Sequence, residues 1–389
     1  MSQELRAERD SLPRSERGDA GGAAQHPPHE RAVYVDAFRG LMALVMVQGH
    51  VMDTLLAPEV QAQPLYLWQQ MVHGSTAPGF LFASGFVVGL PRAPLSLRAG
   101  LRRARRLLFV LAVGYWLHLP YNSLWKTLGA STSAERAAFF ACDALQVIAA
   151  TQLFVLLLQA LVGRRWHACA GGLALAIVAA TPLVWASGAS ARLPEAIAPW
   201  LDESTGSHFP VFPFSAFVLA GALAGARLGR SPAPVRHRQE LAWGLGLVFV
   251  GTALAAVLRG RIDFWGPSPA YVFLRLGGLF LLLRLVEAAA ATGQAWVREL
   301  ALLGHETLLV YVLHLTLLFG GVFGPAPLVP SHGTLGFPGA TFVLLAMLPV
   351  LLGAAWLWRT AKQRAPREAR LLLLFVTIAF CYEFAVRPW

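Results

Sequence analysis

The sequence predicts an all-α protein: a polytopic bundle of about eleven transmembrane helices with its N-terminus in the cytoplasm. Three observations predict it. Apolar residues make up 56% of the chain against 14% charged, and the mean hydropathy is +0.54, far from the balance of a soluble globular domain. Apolar runs of roughly 20 residues, enough to cross a hydrocarbon core of about 30 Å, recur along the chain. Basic residues collect on alternate loops, the asymmetry that orients membrane helices.

Taken in order, residues 1–30 mix both signs of charge with Gly and Pro and hold no apolar stretch of signal-peptide length. They are expected to form a disordered cytoplasmic tail, and residues 31–389 the transmembrane domain, its first helix an uncleaved anchor. Spans are expected at 35–56 and 67–90, before the basic segment "PRAPLSLRAGLRRARR", and at 102–119 and 137–161, joined by a loop with Lys126 and Arg136. After Arg164 and Arg165 come 168–187, a loop with Arg192, and 210–228. A basic stretch over 227–240 leads to 241–258, and a loop with Arg259 and Arg261 to 269–288. The last three are 299–320, 340–358 and 370–386, the final two separated by five basic residues. In this arrangement 24 of the 32 lysines and arginines lie on the side of the N-terminal tail and six on the other, which places the chain as a multi-pass protein of the inner (plasma) membrane.

A net charge of +11 and a pI near 10.4 would suggest nucleic acid in a soluble chain, but topology accounts for these arginines, and no nucleic-acid partner is expected. Cys142, Cys169 and Cys381 are scattered without CxxC or His spacing, so neither a metal site nor a disulfide framework is indicated. No internal repeat or matching pair of broken helices marks a transporter fold.

The first span, "DAFRGLMALVMVQGH", carries an unusual polar set. Eleven residues from Arg39 to His50 advance about 1100°, three turns plus roughly 20°, so the two side chains share one face about 16 Å apart along the axis. Asp36 precedes Arg39 by three residues and Asp53 follows His50 by three, giving each basic group an i,i+3 carboxylate. An Asp beside a His fixes its tautomer, as a general base requires. The plainer readings are an interfacial Asp36–Arg39 pair and a packed His50 bonded to a backbone carbonyl. Arg275, about two turns past an outer loop, is either a clamp for a ligand hydroxyl, carboxylate or phosphate or a structural partner of Asp143 at similar depth. His314, one turn from Tyr311, suits a bond across helices, and Glu306 an interfacial place. His208 stands at the outer surface ahead of "FPVFPF". The loop "RAGLRRARR" suits topology and anionic lipid, or alternatively phosphates. No phosphate-cradling glycine loop and no Gly-x-Ser-x-Gly is present.

The opening stretch resembles the first helix of membrane-bound acyltransferases of the acyltransferase-3-like superfamily, with an Arg, ten residues and a His. Four further stretches resemble, in order, the heparan-α-glucosaminide N-acetyltransferase family and its bacterial relatives: "HGSTAPGFLFASGFVVGL", "CDALQVIAATQLFV", "HFPVFPFSAFVLAGALAG" and "LLGHETLLVYVLHLTLL". The chain departs from that pattern at His305-Glu306-Thr307, at Asp143 and at Gln146-Val147. The resemblance implies an integral-membrane acyltransferase that moves an acyl group, acetyl by preference, from cytoplasmic acyl-CoA to a hydroxyl or amine of an envelope glycan. Acyl-CoA is then a co-substrate, with no tightly bound cofactor, and lipid bilayer, glycan and a second copy of the chain are the partners to consider. His50 and His73 compete for the catalytic role, because the relatives use a histidine in the region of His73. Asp36, Arg39, Asp53, Asp143, Gln146, Arg275 and His314 are the substrate-binding candidates. The alternative class is a carrier or proton-coupled transporter built on the same buried His, Asp and Arg; a third is a non-catalytic membrane partner.

Overall fold

In the computed structural model, which describes residues 33–90, 95–320 and 327–387, the described residues are mostly helical and contain no β-strand. The tail expected over 1–30 lies outside the described residues. The main helices are α1 (Val33–Leu55), α2 (Pro64–His73), α3 (Thr76–Gly89), α4 (Leu97–Leu117), α5 (Ala144–Val162), α6 (Trp166–Ala186) and α7 (Val211–Leu228). They continue as α8 (Ala233–Leu258), α9 (Pro269–Ala291), α10 (Ala295–His305), α11 (Thr307–Phe319), α12 (Phe337–Arg364) and α13 (Pro366–Val386). Short helices at Leu124–Ala130 and Ser133–Phe140 join α4 to α5. Side-chain caps start several of them: Ser96 accepts from the Ala99 N–H, Asp143 from Ala144 and Ser268 from Ala270. Pro64 and Pro269 open α2 and α9, where a missing N–H costs nothing.

Each expected span falls on a helix or helix pair. Six stretches are long and apolar enough to cross a membrane by themselves: Pro64–Gly89, Ala144–Ala186, Val211–Leu228, Ala233–Leu258, Phe337–Arg364 and Pro366–Val386. The α10–α11 pair, bent by 80°, makes a seventh if it counts as one span. α1 falls outside that set, its apolar run interrupted by Asp36, Arg39, Gln48, His50 and Asp53.

α1 lies at the centre, packed chiefly on α10 and then on α3, α9, α11 and α12. Phe38, Val47, Val51 and Leu55 are sealed from the surface. α3 and α7 lie backbone against backbone through "GFVVG" and "GALAG": a side chain on Gly85 or Gly89 would strike the α7 carbonyls of Val218 or Ala222, and one on Gly221 or Gly225 the α3 carbonyls of Phe82 or Phe86. Such small-residue seams replace the hydrophobic drive that lipid cannot supply. At the periphery α8, α12 and α13 turn Phe249, Phe342 and Phe375 outward, each more than two-thirds exposed. An apolar outer surface around a core that holds the charges is the pattern of a multi-pass membrane protein.

Candidate active site

α11 runs beside α1, and the two share polar groups at two heights. Arg39 Nη2 donates to the Thr307 hydroxyl at 3.1 Å, and seven residues further along α11 His314 meets His50, Nε2 to Nδ1 at 2.8 Å. The shared face of Arg39 and His50 is therefore the face toward α11.

The His50–His314 contact fixes tautomers. His314 Nδ1 lies 2.9 Å from the Val310 carbonyl, an acceptor only, so in the neutral ring Nδ1 carries the hydrogen and Nε2 the lone pair. His50 Nδ1 must then donate to it, which leaves the His50 Nε2 lone pair free of any protein partner among the described residues. His73 stands edge-on to His50 with ring centres 5.5 Å apart, and its ring occupies the space a side chain on Gly49 would need.

The i,i+3 pairing of Asp53 with His50 is not formed. Asp53 is captured by α2 instead: Tyr66 donates to it at 3.0 Å, Gln70 donates to the same oxygen, and His73 Nε2 lies 3.6 Å from the other. Asp53 thus lies beside His73, and His314 bonds His50. Tyr66, Gln70 and Gly49 were not singled out from the sequence, although Tyr66, Gln70 and His73 share one face of α2 at i,i+4 and i,i+3 spacing.

At the other end of α1, Asp36 joins Arg39 at 3.3 Å and His305 at 2.8 Å. The expected Asp36–Arg39 pair is formed, and both residues are also bound to the α10–α11 bend. Glu306, at the bend itself, is held by Lys362 of α12 at 2.6 and 2.7 Å. Arg39 faces a cavity of about 570 Å³ between α1, α3, α4, α5 and α11, into which Arg103 and Arg106 also project. The basic loop is therefore more than a topology signal: its helical end contributes two guanidinium groups to the same space as Arg39. Apolar side chains such as Phe80, Val110 and Ile148 also line this cavity, as does Tyr311, its ring 5.7 Å from that of His314.

Asp143 and Arg275 do not pair. Asp143 caps α5, lies 3.5 Å from His118 Nε2 and sits beside the Tyr311 phenol. Arg275 binds the Met71 carbonyl and the Ser75 hydroxyl at the α2–α3 break. The similar depth expected of both says nothing about the direction in which each side chain points. Gln146 is fully buried against Gly114 of α4 and lines neither large cavity. His208 is exposed.

A model of the heparan-alpha-glucosaminide N-acetyltransferase catalytic family matches residues 31–259. The chain belongs to that family. Membership makes the protein a membrane acetyltransferase, and the matched part contains Asp36, Arg39, His50, Asp53, His73, Asp143 and Gln146. Arg275, Thr307, Tyr311 and His314 lie beyond the match; Thr307 and His314 meet matched residues Arg39 and His50 by contact. No curated protein matches the chain.

Proposed function

We propose that this protein transfers an acetyl group from acyl-CoA, bound from the cytoplasmic side, to a hydroxyl or amine of an envelope glycan on the outer side of the plasma membrane. The observation that carries the reading is the His50 tautomer: with Nδ1–H committed to His314, Nε2 is free to take a proton.

The first cavity supports the donor side. Arg39, Arg103 and Arg106 converge there, and the one carboxylate paired with Arg39, Asp36, is shared with His305. That excess of guanidinium suits the phosphates of coenzyme A, which Arg binds through planar two-point contacts. The apolar part of the lining suits the pantetheine arm, and Tyr311 links the cavity to His314, its ring 5.7 Å away.

In the reaction the acceptor oxygen or nitrogen attacks the thioester carbonyl carbon. His50 Nε2 takes the acceptor's proton, the carbon–sulfur bond breaks, and the proton passes to the leaving thiolate. His73, held by Asp53, borders the same space and is the second candidate base. Membrane spans near the eleven expected and a cytoplasmic N-terminus are part of this proposal, because they put the arginines on the donor's side.

Purified protein incubated with labelled acetyl-CoA and a panel of envelope glycans tests the reading. Thioester loss coupled to label on the glycan supports it; accumulation of substrate inside liposomes without turnover favours a carrier.

A further inference from the structure

Asp143 opens α5 one residue before Ala144 and Leu145, which line the first cavity. Nothing in the reaction described above uses it. Its Oδ1 accepts the Ala144 N–H at 2.7 Å, and Oδ2 lies 3.5 Å from His118 Nε2 at the end of α4. The carboxylate also accepts a hydrogen bond from the Tyr311 phenol of α11. Capping explains only the first of these contacts: an N-cap needs one side-chain oxygen and no charge, and Ser or Asn serves as well.

The charge of Asp143 is not cancelled by its neighbours. Among the described residues no lysine or arginine pairs with it; its ion-pair partner is His118. His118 Nδ1 is buried and has no hydrogen-bond partner among the described residues. A hydrogen on that nitrogen would be a buried donor left unpaired, which is costly. His118 is therefore neutral, gives the carboxylate its Nε2 hydrogen and leaves the negative charge in place.

That charge stands behind the histidine pair. Tyr311 has its hydroxyl on Asp143 and its ring edge-on to His314, centres 5.7 Å apart, and His314 bonds His50 at 2.8 Å. The field of Asp143 reaches the His50 ring, where the other titratable neighbours are His314 of α11, His73 of α2 and His208 ahead of α7, all imidazoles. The remaining charges packed on α1 are engaged elsewhere. Arg39, His305, Glu306 and Lys362 gather around Asp36 and the α10–α11 bend, and Asp53 faces His73. Arg275 of α9 turns to the α2–α3 break, beside a second cavity of about 540 Å³. An imidazolium formed on His50 thus has neutral rings for its nearest partners and Asp143 for its counter-charge, in a core where charges interact strongly.

We propose that Asp143 is a positioning residue of the acetyl transfer: it holds Tyr311 against His314, and so the His314–His50 pair, and its charge balances the imidazolium that forms when His50 takes the acceptor's proton. The inference rests on the acetyl-transfer reading above, with His50 as base. The proton moves from the acceptor to His50 Nε2 and on to the leaving thiolate; Asp143 neither gains nor loses one.

The test is the pH profile of acetyl transfer by the detergent-purified full chain, from labelled acetyl-CoA to a panel glycan that wild type acetylates. Asp143→Asn keeps the cap and the shape but removes the charge. Its plateau rate should fall at least about tenfold, the scale of losing a group that orients a catalytic ligand. The acid limb of its profile should move to lower pH, because an imidazolium without its counter-charge forms less readily. Asp143→Glu restores the charge and should return the limb to the wild-type position. Tyr311→Phe keeps the ring and the charge but breaks the link, so kcat should fall with the limb in place and the KM for acetyl-CoA unchanged. An Asp143→Asn profile that superimposes on that of wild type after scaling, or a Tyr311→Phe variant with wild-type kcat, overturns the proposal. If Asp143→Asn fails to fold, Tyr311→Phe decides the matter. A wild type that transfers no acetyl group defeats the transfer reading and this inference together; a wild type that transfers, with the limb unmoved in Asp143→Asn, defeats this inference alone.

Discussion

His50 Nδ1 lies 2.8 Å from His314 Nε2, and His314 is in turn tied to the Val310 carbonyl at 2.9 Å. The chain from carbonyl to imidazole to imidazole assigns one hydrogen position at each step and ends on a bare nitrogen. His314→Leu removes the acceptor and leaves His50 Nδ1–H unpaired. We expect acetyl transfer to fall by about 10- to 100-fold, the scale of losing a group that orients a catalytic ligand, while membrane insertion is retained. Initial rates of thioester loss, with a monodispersity check on the purified protein, measure it.

His73 rests on the space left by Gly49. Gly49→Ala puts a methyl group where the imidazole ring sits, so the ring must leave its place beside Asp53 and His50. A drop in turnover of at least about tenfold is expected, because small displacements of reacting groups are costly. Asp53→Asn, which keeps the shape but changes what His73 Nε2 faces, should do the same. Native turnover in both variants would remove His73 from the site.

Arg39 joins Asp36, Thr307 and the cavity of Arg103 and Arg106. Lysine reaches headgroups as well as arginine does but cannot reproduce a planar two-point contact. Arg39→Lys should therefore raise the KM for acyl-CoA, or lower kcat, with an unchanged yield of folded protein, and Arg106→Lys should shift KM in the same direction. A spectator effect at Arg106, as the loop would show if it served topology alone, is not expected once that side chain lines the cavity.

Reporter fusions near residues 98 and 365 should read cytoplasm, and fusions near 200 and 330 the opposite side, because 24 basic residues fall on one side and six on the other. An outer location for residue 98 would reverse the route of the donor.

What was legible in the sequence was local. Hydrophobic runs gave the helices, and the 3.6-residue period put Arg39 and His50 on the face that meets α11, since both follow from residues within a few turns of one another. Partner choice was not legible, because it is decided across the fold. Asp53 lies three residues from His50, yet Tyr66 and Gln70 of α2 turn it toward His73. His50 finds its partner 264 positions away. Asp143 and Arg275, expected at a similar depth, face different neighbours, His118 and the α2–α3 break, since depth along a helix says nothing about azimuth. The basic loop read as a charge count until α4 carried Arg103 and Arg106 to the cavity wall.

The most direct measurement is the steady-state rate of acetyl transfer from labelled acetyl-CoA to an envelope glycan by wild type and His50→Ala, purified in equal folded amounts. The account predicts coupled loss of thioester and labelling of the acceptor in wild type, slowed at least about 100-fold in the variant, as removal of a general base entails. Near-native transfer by His50→Ala would contradict it.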